Sequence, residues 1–211
     1  MRAWWVAALL LSITGTGHAA EVHLLDTVVA EIASRPVTLS DVALARALGR
    51  FGLEPATGPI TDAELAKYLD AQLAAREARQ LAVEVSAADV DRAWDKAGGA
   101  ALAAQLAEAG VDPAWARRIL EDDLRIERFV DLRFRTFAFV TDFDVDEALG
   151  PGEHDEATRA RTRDRLRDDM IARALATWKD DARQRIPIRL VPGVTGPWSA
   201  PFTLSPGAGA R

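Results

Sequence analysis

The chain has 211 residues, no cysteine and a formal net charge of −6. The acidic balance argues against a nucleic-acid partner, whose phosphates need a basic face. Without cysteine there is no disulfide framework, thiol nucleophile, thiolate zinc site or lipid-modified N-terminal cysteine, so stability has to come from packing.

Arg2 is the sole charge before Glu21, and Ala3 to Ile13 is apolar apart from Ser12. Thr14-Gly15-Thr16-Gly17-His18-Ala19 then closes on small residues, with Gly17 and Ala19 in the two positions a signal peptidase reads. A positive start, a short apolar run and a small-residue exit mark residues 1–19 as a secretory signal peptide, with an uncleaved anchor as the alternative. The run is too short for a spanning helix, which takes about 20 apolar residues, so no stable membrane insertion is expected after cleavage. About 190 residues remain, enough for one domain with a proper core or two small ones. The leader carries only Arg2, so its loss leaves the chain one unit more negative. The destination is a periplasm or the exterior, and these residues do not separate the two.

Leu24 to Ile32 is dense in Leu, Val and Ile and reads as a strand. Ala33-Ser34-Arg35-Pro36 is a turn and Val37-Thr38-Leu39 resumes the strand, which makes a hairpin. Ser40 is expected to cap a helix carrying Asp41 in its first turn and stopping at Gly49. Two glycines and two prolines make Gly52 to Pro59 a loop. Thr61-Asp62-Ala63-Glu64 is a capping box, and the helix behind it carries Leu65, Leu69 and Leu73 on one face and reaches about Ala82. Ser86-Ala87-Ala88-Asp89 opens a third helix, with Val90 and Trp94 on one side, ended by Gly98-Gly99. A fourth covers Leu102 and Leu106 and stops at Gly110.

Asp112-Pro113 starts the longest helix of the first half, since proline in the first turn loses no hydrogen bond. The pattern carries it to about Phe137. At about 100° per residue, Trp115, Ile119, Ile126, Phe129, Val130, Phe134 and Phe137 form one broad stripe opposite Arg117, Arg125, Arg128 and Arg135. Leu120, Leu124 and Leu132 fall outside it, so this helix needs several neighbours or leaves an apolar patch exposed. The stripe therefore has two readings: core packing, or in part a groove for extended apolar peptides, with Trp115, Ile119, Phe129 and Phe134 as its peptide-binding candidates. Phe139-Val140 is a short extended exit and Asp144 to Leu149 a helical stub. After the acidic, glycine-rich break at Gly150 to Asp155, a last helix runs from Glu156 to Arg185 with Leu166, Met170, Ile171, Ala174, Leu175 and Trp178 on its apolar face. Ile186 to Val191 alternates like an edge strand, where Pro187 is tolerated. Residues 192–211, rich in Pro, Gly, Ser and Ala, are expected to be disordered.

No constellation for chemistry assembles. His23 and His154 lie at ends or breaks and support no Ser/His/Asp set. Asp142, Asp144, Asp146 and Glu153 have calcium-loop spacing, but Glu147 stands where such a loop needs glycine and Pro151 interrupts it, so an acidic helix start is the preferred reading. Arg159, Arg161, Arg163, Arg165 and Arg167 spread charge around a helix beside Asp155, Glu156, Asp164, Asp168 and Asp169, as in an ion-paired solvated face. No metal, cofactor or catalytic residue is assigned.

The order of these elements resembles a known family. The hairpin ending Val37-Thr38-Leu39-Ser40-Asp41-Val42 is similar to the opening of SurA-type periplasmic chaperones. A helix with the corner Leu81-Ala82-Val83-Glu84-Val85-Ser86, a Ser-x-x-Asp helix and a long Arg-rich helix leading to Phe139-Val140-Thr141-Asp142 continue the likeness to about Val191. It implies a mainly α fold: a multi-helix chaperone domain over residues 20–191, with a small β-sheet made by the N-terminal hairpin and a C-terminal strand. In that family the N-terminal part, here 20–149, is closed by a returning helix and strand, here 156–191. The family carries parvulin-type prolyl isomerase domains between the halves; here a short break stands there, and a folded domain needs about 40 residues or more. The parvulin catalytic positions have no counterpart.

The resemblance thus implies an ATP-independent holdase or assembly factor for unfolded envelope proteins, including outer-membrane proteins, and not an enzyme. Two alternatives stand beside it: a minimal peptidyl-prolyl isomerase, and a dedicated structural partner of one envelope complex.

Overall fold

A computed structural model describes residues 26–193, 196–202 and 204; the expected signal peptide lies outside the described residues. Strands β1 (Val28–Ile32) and β2 (Arg35–Thr38) form the hairpin. Ala33 and Ser34 both take positive φ, 47° and 69°. Such a two-residue turn matches the right-handed twist of its strands, although it usually recruits Asn or Gly. Strand β3 (Ile188–Leu190) adds antiparallel to the free side of β1, with Ala30 opposite Leu190 and Ile32 opposite Ile188. The sheet order is β2-β1-β3. Pro36 and Pro187 cause no loss there, because β2 is an edge strand and Pro187 precedes β3 while its carbonyl accepts the Ala33 N–H at 3.0 Å.

Helix α1 (Leu39–Ala47) is capped by Thr38, not Ser40. The acid needed three positions beyond the cap is Asp41: its carboxylate accepts the Thr38 N–H at 2.9 Å, and the Thr38 hydroxyl accepts the Asp41 N–H at 3.2 Å. Ser40 is buried, with its N–H on Asp26. Helices α2 (Asp62–Gln80), α3 (Ala87–Lys96), α4 (Gly99–Glu108) and α5 (Pro113–Arg133) follow. The boxes at Thr61/Glu64 and Ser86/Asp89 both form, and Asp112 caps α5 ahead of Pro113. A 3-10 turn (Arg135–Phe137) follows α5, then α6 (Asp142–Leu149) and the 30-residue α7 (Glu156–Arg185), a rod of about 45 Å. The molecule is mainly helical, with seven α-helices and one three-stranded antiparallel sheet among the described residues.

The core lies where α2, α5 and the C-terminal half of α7 meet beneath the sheet. Leu65, Leu69 and Leu73 of α2 are buried together, as are Leu102 and Leu106 of α4. On α7 the inward residues are Ile171, Trp178 and Ala182; Ala174, expected on the same face, is exposed. Arg183 donates to Asp70 of α2 at 2.6 Å, and Lys179 adds to the same carboxylate. The N-terminal half of α7 pairs instead with α6, with Val145 and Thr162 buried.

Two further expectations change. Helix α5 ends at Arg133, because Phe134 leaves helical geometry (φ −121°, ψ −52°). The stretch from Pro192 onward was expected to be disordered, yet over its described part it packs. Trp198 and Ile60 exchange both main-chain hydrogen bonds, at 2.7 and 2.9 Å. Ala200, Phe202 and Leu204 then lie against the core. Composition misleads there because three large apolar anchors hide among prolines and glycines.

Candidate functional site

Of the four peptide-binding candidates, three are sealed: Phe129 is 1% exposed, Ile119 4% and Phe134 9%. Phe129, Phe134 and Trp178 form an edge-to-face cluster that joins α5 to α7. For Phe129 and Phe134 the core reading of the stripe therefore holds and the groove reading is corrected: α7 covers them. Trp115 is half-buried, and its indole N–H donates to Asp41 Oδ1 at 3.1 Å, tying α5 to the first turn of α1. Arg125 reaches Glu121, Asp122 and the Val83 carbonyl, and Arg128 reaches Asp89 and the Glu84 carbonyl, so together they clamp the α2–α3 linker.

The exposed rings lie one turn further on. Phe137, Phe139 and Phe143 are 69%, 74% and 73% exposed, and Leu132 near the end of α5 is 63% exposed. Phe137 was expected in the same stripe as Phe129 and Phe134, but the break at Phe134 changes the helical phase and turns it outward. The connection itself is pinned: Ala138 is buried, and its carbonyl accepts from Arg167 Nε at 3.3 Å. Arg163 pairs with Asp142, and Arg159 with Asp146. These α7 cations thus take their partners from α6, not from the acids of their own helix. Phe137 in the 3-10 turn, Phe139 in the connection and Phe143 in the first turn of α6 thus make an exposed ledge on backbone that these contacts anchor.

A second feature adjoins Trp115 and Ile119. Two neighbouring hollows of about 110 and 300 Å³ share Arg35, Asp41, Tyr68, Gln72 and Arg79 and run from Pro36 and Val37 on β2 to Trp115 and Ile119 on α5. Buried Val37, Tyr68 and Ile119 lie at their base, and their lining is mainly polar and rich in guanidinium groups, of which Arg79 is paired with Asp122. Burial, followed by the Asp41 and Asp122 carboxylates, pushes the Tyr68 phenol well above its ordinary range, so it stays neutral. No sequence signal singled out Tyr68 or Arg35; they meet only because the hairpin folds back over α2.

Among the described residues no group of three or more His, Asp or Glu side chains is placed to hold a metal ion. Asp142 and Asp146 are committed to arginines, and Asp144 to the N-terminus of α6, where the Thr141 hydroxyl and amide hold its carboxyl below the ordinary range. Among the described residues no helix is long and apolar enough to cross a membrane. Comparison with protein-family models and with curated proteins finds no match.

Proposed function

We propose that the chain is an ATP-independent chaperone or assembly factor that acts after export and holds unfolded envelope proteins through apolar surface. The observation that carries this reading is the ledge of Phe137, Phe139 and Phe143. Single exposed apolar residues are ordinary on any protein; three strongly exposed phenylalanines within seven residues, the last of them in the first turn of α6, give apolar surface that water disfavours and unfolded chains can cover. The Trp115–Ile119 cleft offers a second, shallower contact. Several weak contacts give modest affinity and fast release, which suits a holdase with no nucleotide cycle. The resemblance to the SurA-type module points the same way, with the ledge replacing the buried Phe129 and Phe134 as the expected client contact.

The test is light scattering from an unfolded outer-membrane-type protein diluted into buffer with a several-fold excess of the chain. Wild type is expected to suppress aggregation. The Phe137→Ser/Phe139→Ser/Phe143→Ser variant is expected to lose that protection while melting at the wild-type temperature. No protection by wild type ends the reading. Pull-down of one stoichiometric partner in place of many weak clients would favour a dedicated structural role.

A further inference from the structure

The tail shows what a bound segment looks like on this protein. Trp198, Ala200, Phe202 and Leu204 face inward at alternate positions, while Pro197, Ser199 and Pro201 are exposed. That is the period of an extended strand. Among the described residues of the tail, main-chain pairing is confined to one residue pair, Trp198 with Ile60. Phe202 and Leu204 close over Ala43 and Ala47 of α1 and over Pro55, leaving a hollow of about 20 Å³, room for about one water. Peptide recognition at sheet edges likewise combines main-chain hydrogen bonds with pockets for alternate side chains; here the main-chain part is one residue pair on a loop outside the sheet.

The receiving surface is built independently of the tail. Arg46 is buried, and its guanidinium donates to the carbonyls of Gly58 at 2.7 Å and Pro59 at 3.0 Å while pairing with Glu64. These bonds fix the loop so that the Ile60 amide and carbonyl are presented outward. The tail is also an imperfect occupant: the Trp198 indole N–H is buried with no acceptor among the described residues. A buried donor left unpaired weakens its own docking, and a segment carrying Phe or Leu there would be free of that cost.

We propose that the groove between α1 and the 50–60 loop is a binding site for extended apolar peptide segments with large side chains at alternate positions, and that the chain's own tail occupies it as a displaceable strap. The proposal rests on the holdase reading for the source of the displacing segment, but its test does not. A fluorescein-labelled peptide copying residues 196–204 is titrated into the full wild-type chain and into a full-chain Trp198→Ser/Phe202→Ser variant, with anisotropy as the readout. The variant is expected to bind saturably and at least about tenfold more tightly than wild type, because occupation by the tail lowers the apparent affinity in proportion to the fraction of time the groove is open. A peptide with Phe in place of its Trp should bind more tightly still, and one with Ser at both anchors should not bind. A folded variant without saturable binding, or with binding indifferent to the anchors, overturns the proposal. So does a variant that no longer melts cooperatively, since the tail would then be part of the core and not a strap. Peptide capture without protection in the aggregation assay would leave the groove standing and remove the holdase reading.

Discussion

Phe129 on α5 and Trp178 on α7 meet edge to face with ring centroids 5.2 Å apart at 61°, and Phe134 packs on both, 5.8 Å from the first and 6.4 Å from the second. This cluster is where the end of the chain is fastened to its first half.

Truncating either ring should open a cavity at that joint. Phe129→Ala and Trp178→Ala are each expected to cost about 3–5 kcal/mol, and the double variant less than their sum because they share a contact. Urea melts followed by circular dichroism check this. A cost below about 1 kcal/mol for Phe129→Ala would show that α7 is not held there.

The end of α2 stores strain. Ala82 sits at φ 53°, the Val83 N–H bonds the Ala78 carbonyl at 2.9 Å and the Ala82 N–H bonds that of Arg79 at 3.0 Å. That is a left-handed helix stop with alanine where glycine is usual. Ala82→Gly is expected to stabilise by about 1 kcal/mol, raising Tm by about 2–4 °C. Calorimetry reads the shift, and a fall in Tm would contradict the strain.

Arg46 holds the loop that carries Ile60. Arg46→Met removes donors from two carbonyls and takes the cation from Glu64, which keeps its bonds to Thr61, with an expected loss of about 1–3 kcal/mol. Hydrogen exchange should show faster loss at the Ile60 amide than at Leu73, deep in α2. Uniform acceleration would mean that Arg46 supports the whole core and not the loop.

Acid sensitivity should be traceable to the α3 cap. The Ser86 hydroxyl, donating at 2.6 Å, and then Arg128 hold Asp89 at a pKa of about 2 against an ordinary 3.8. Because the folded value is the lower one, the stabilisation is complete above about pH 4 and is lost as pH falls toward 2. Ser86→Ala should raise the Asp89 titration midpoint, measured by carboxyl-carbon NMR, and narrow that acid-sensitive window. An unchanged midpoint would remove Ser86 as the chief cause.

Much of the helical framework was legible because its punctuation is chemical. Thr61/Glu64, Ser86/Asp89 and Asp112-Pro113 open helices where cap chemistry requires it. Gly49 and Gly110 close α1 and α4 in the left-handed conformation. The boundary of α2 was overrun because Ala82 performs a glycine's task, and the α1 cap was misplaced by two residues because Ser40 and Thr38 are both good cap types. The candidate site was the least legible part. Periodicity names the face of a helix but not what covers it, so Phe129 and Phe134 read equally as groove or core until α7 is placed. Phe137 was lost to a break at Phe134 that no glycine or proline announces. The tail was misread because composition averages over Trp198, Phe202 and Leu204, the residues that dock it.

The central position of β1 has a consequence for the order of events. One of its edges is satisfied at once by β2, a few residues away, while the other waits for Leu190 to reach Ala30. A polypeptide emerging amino end first from a ribosome or a membrane pore therefore has its hairpin early but cannot close its sheet until almost everything else has arrived. Until then it stays threadable, and the final architecture locks only at the end of delivery.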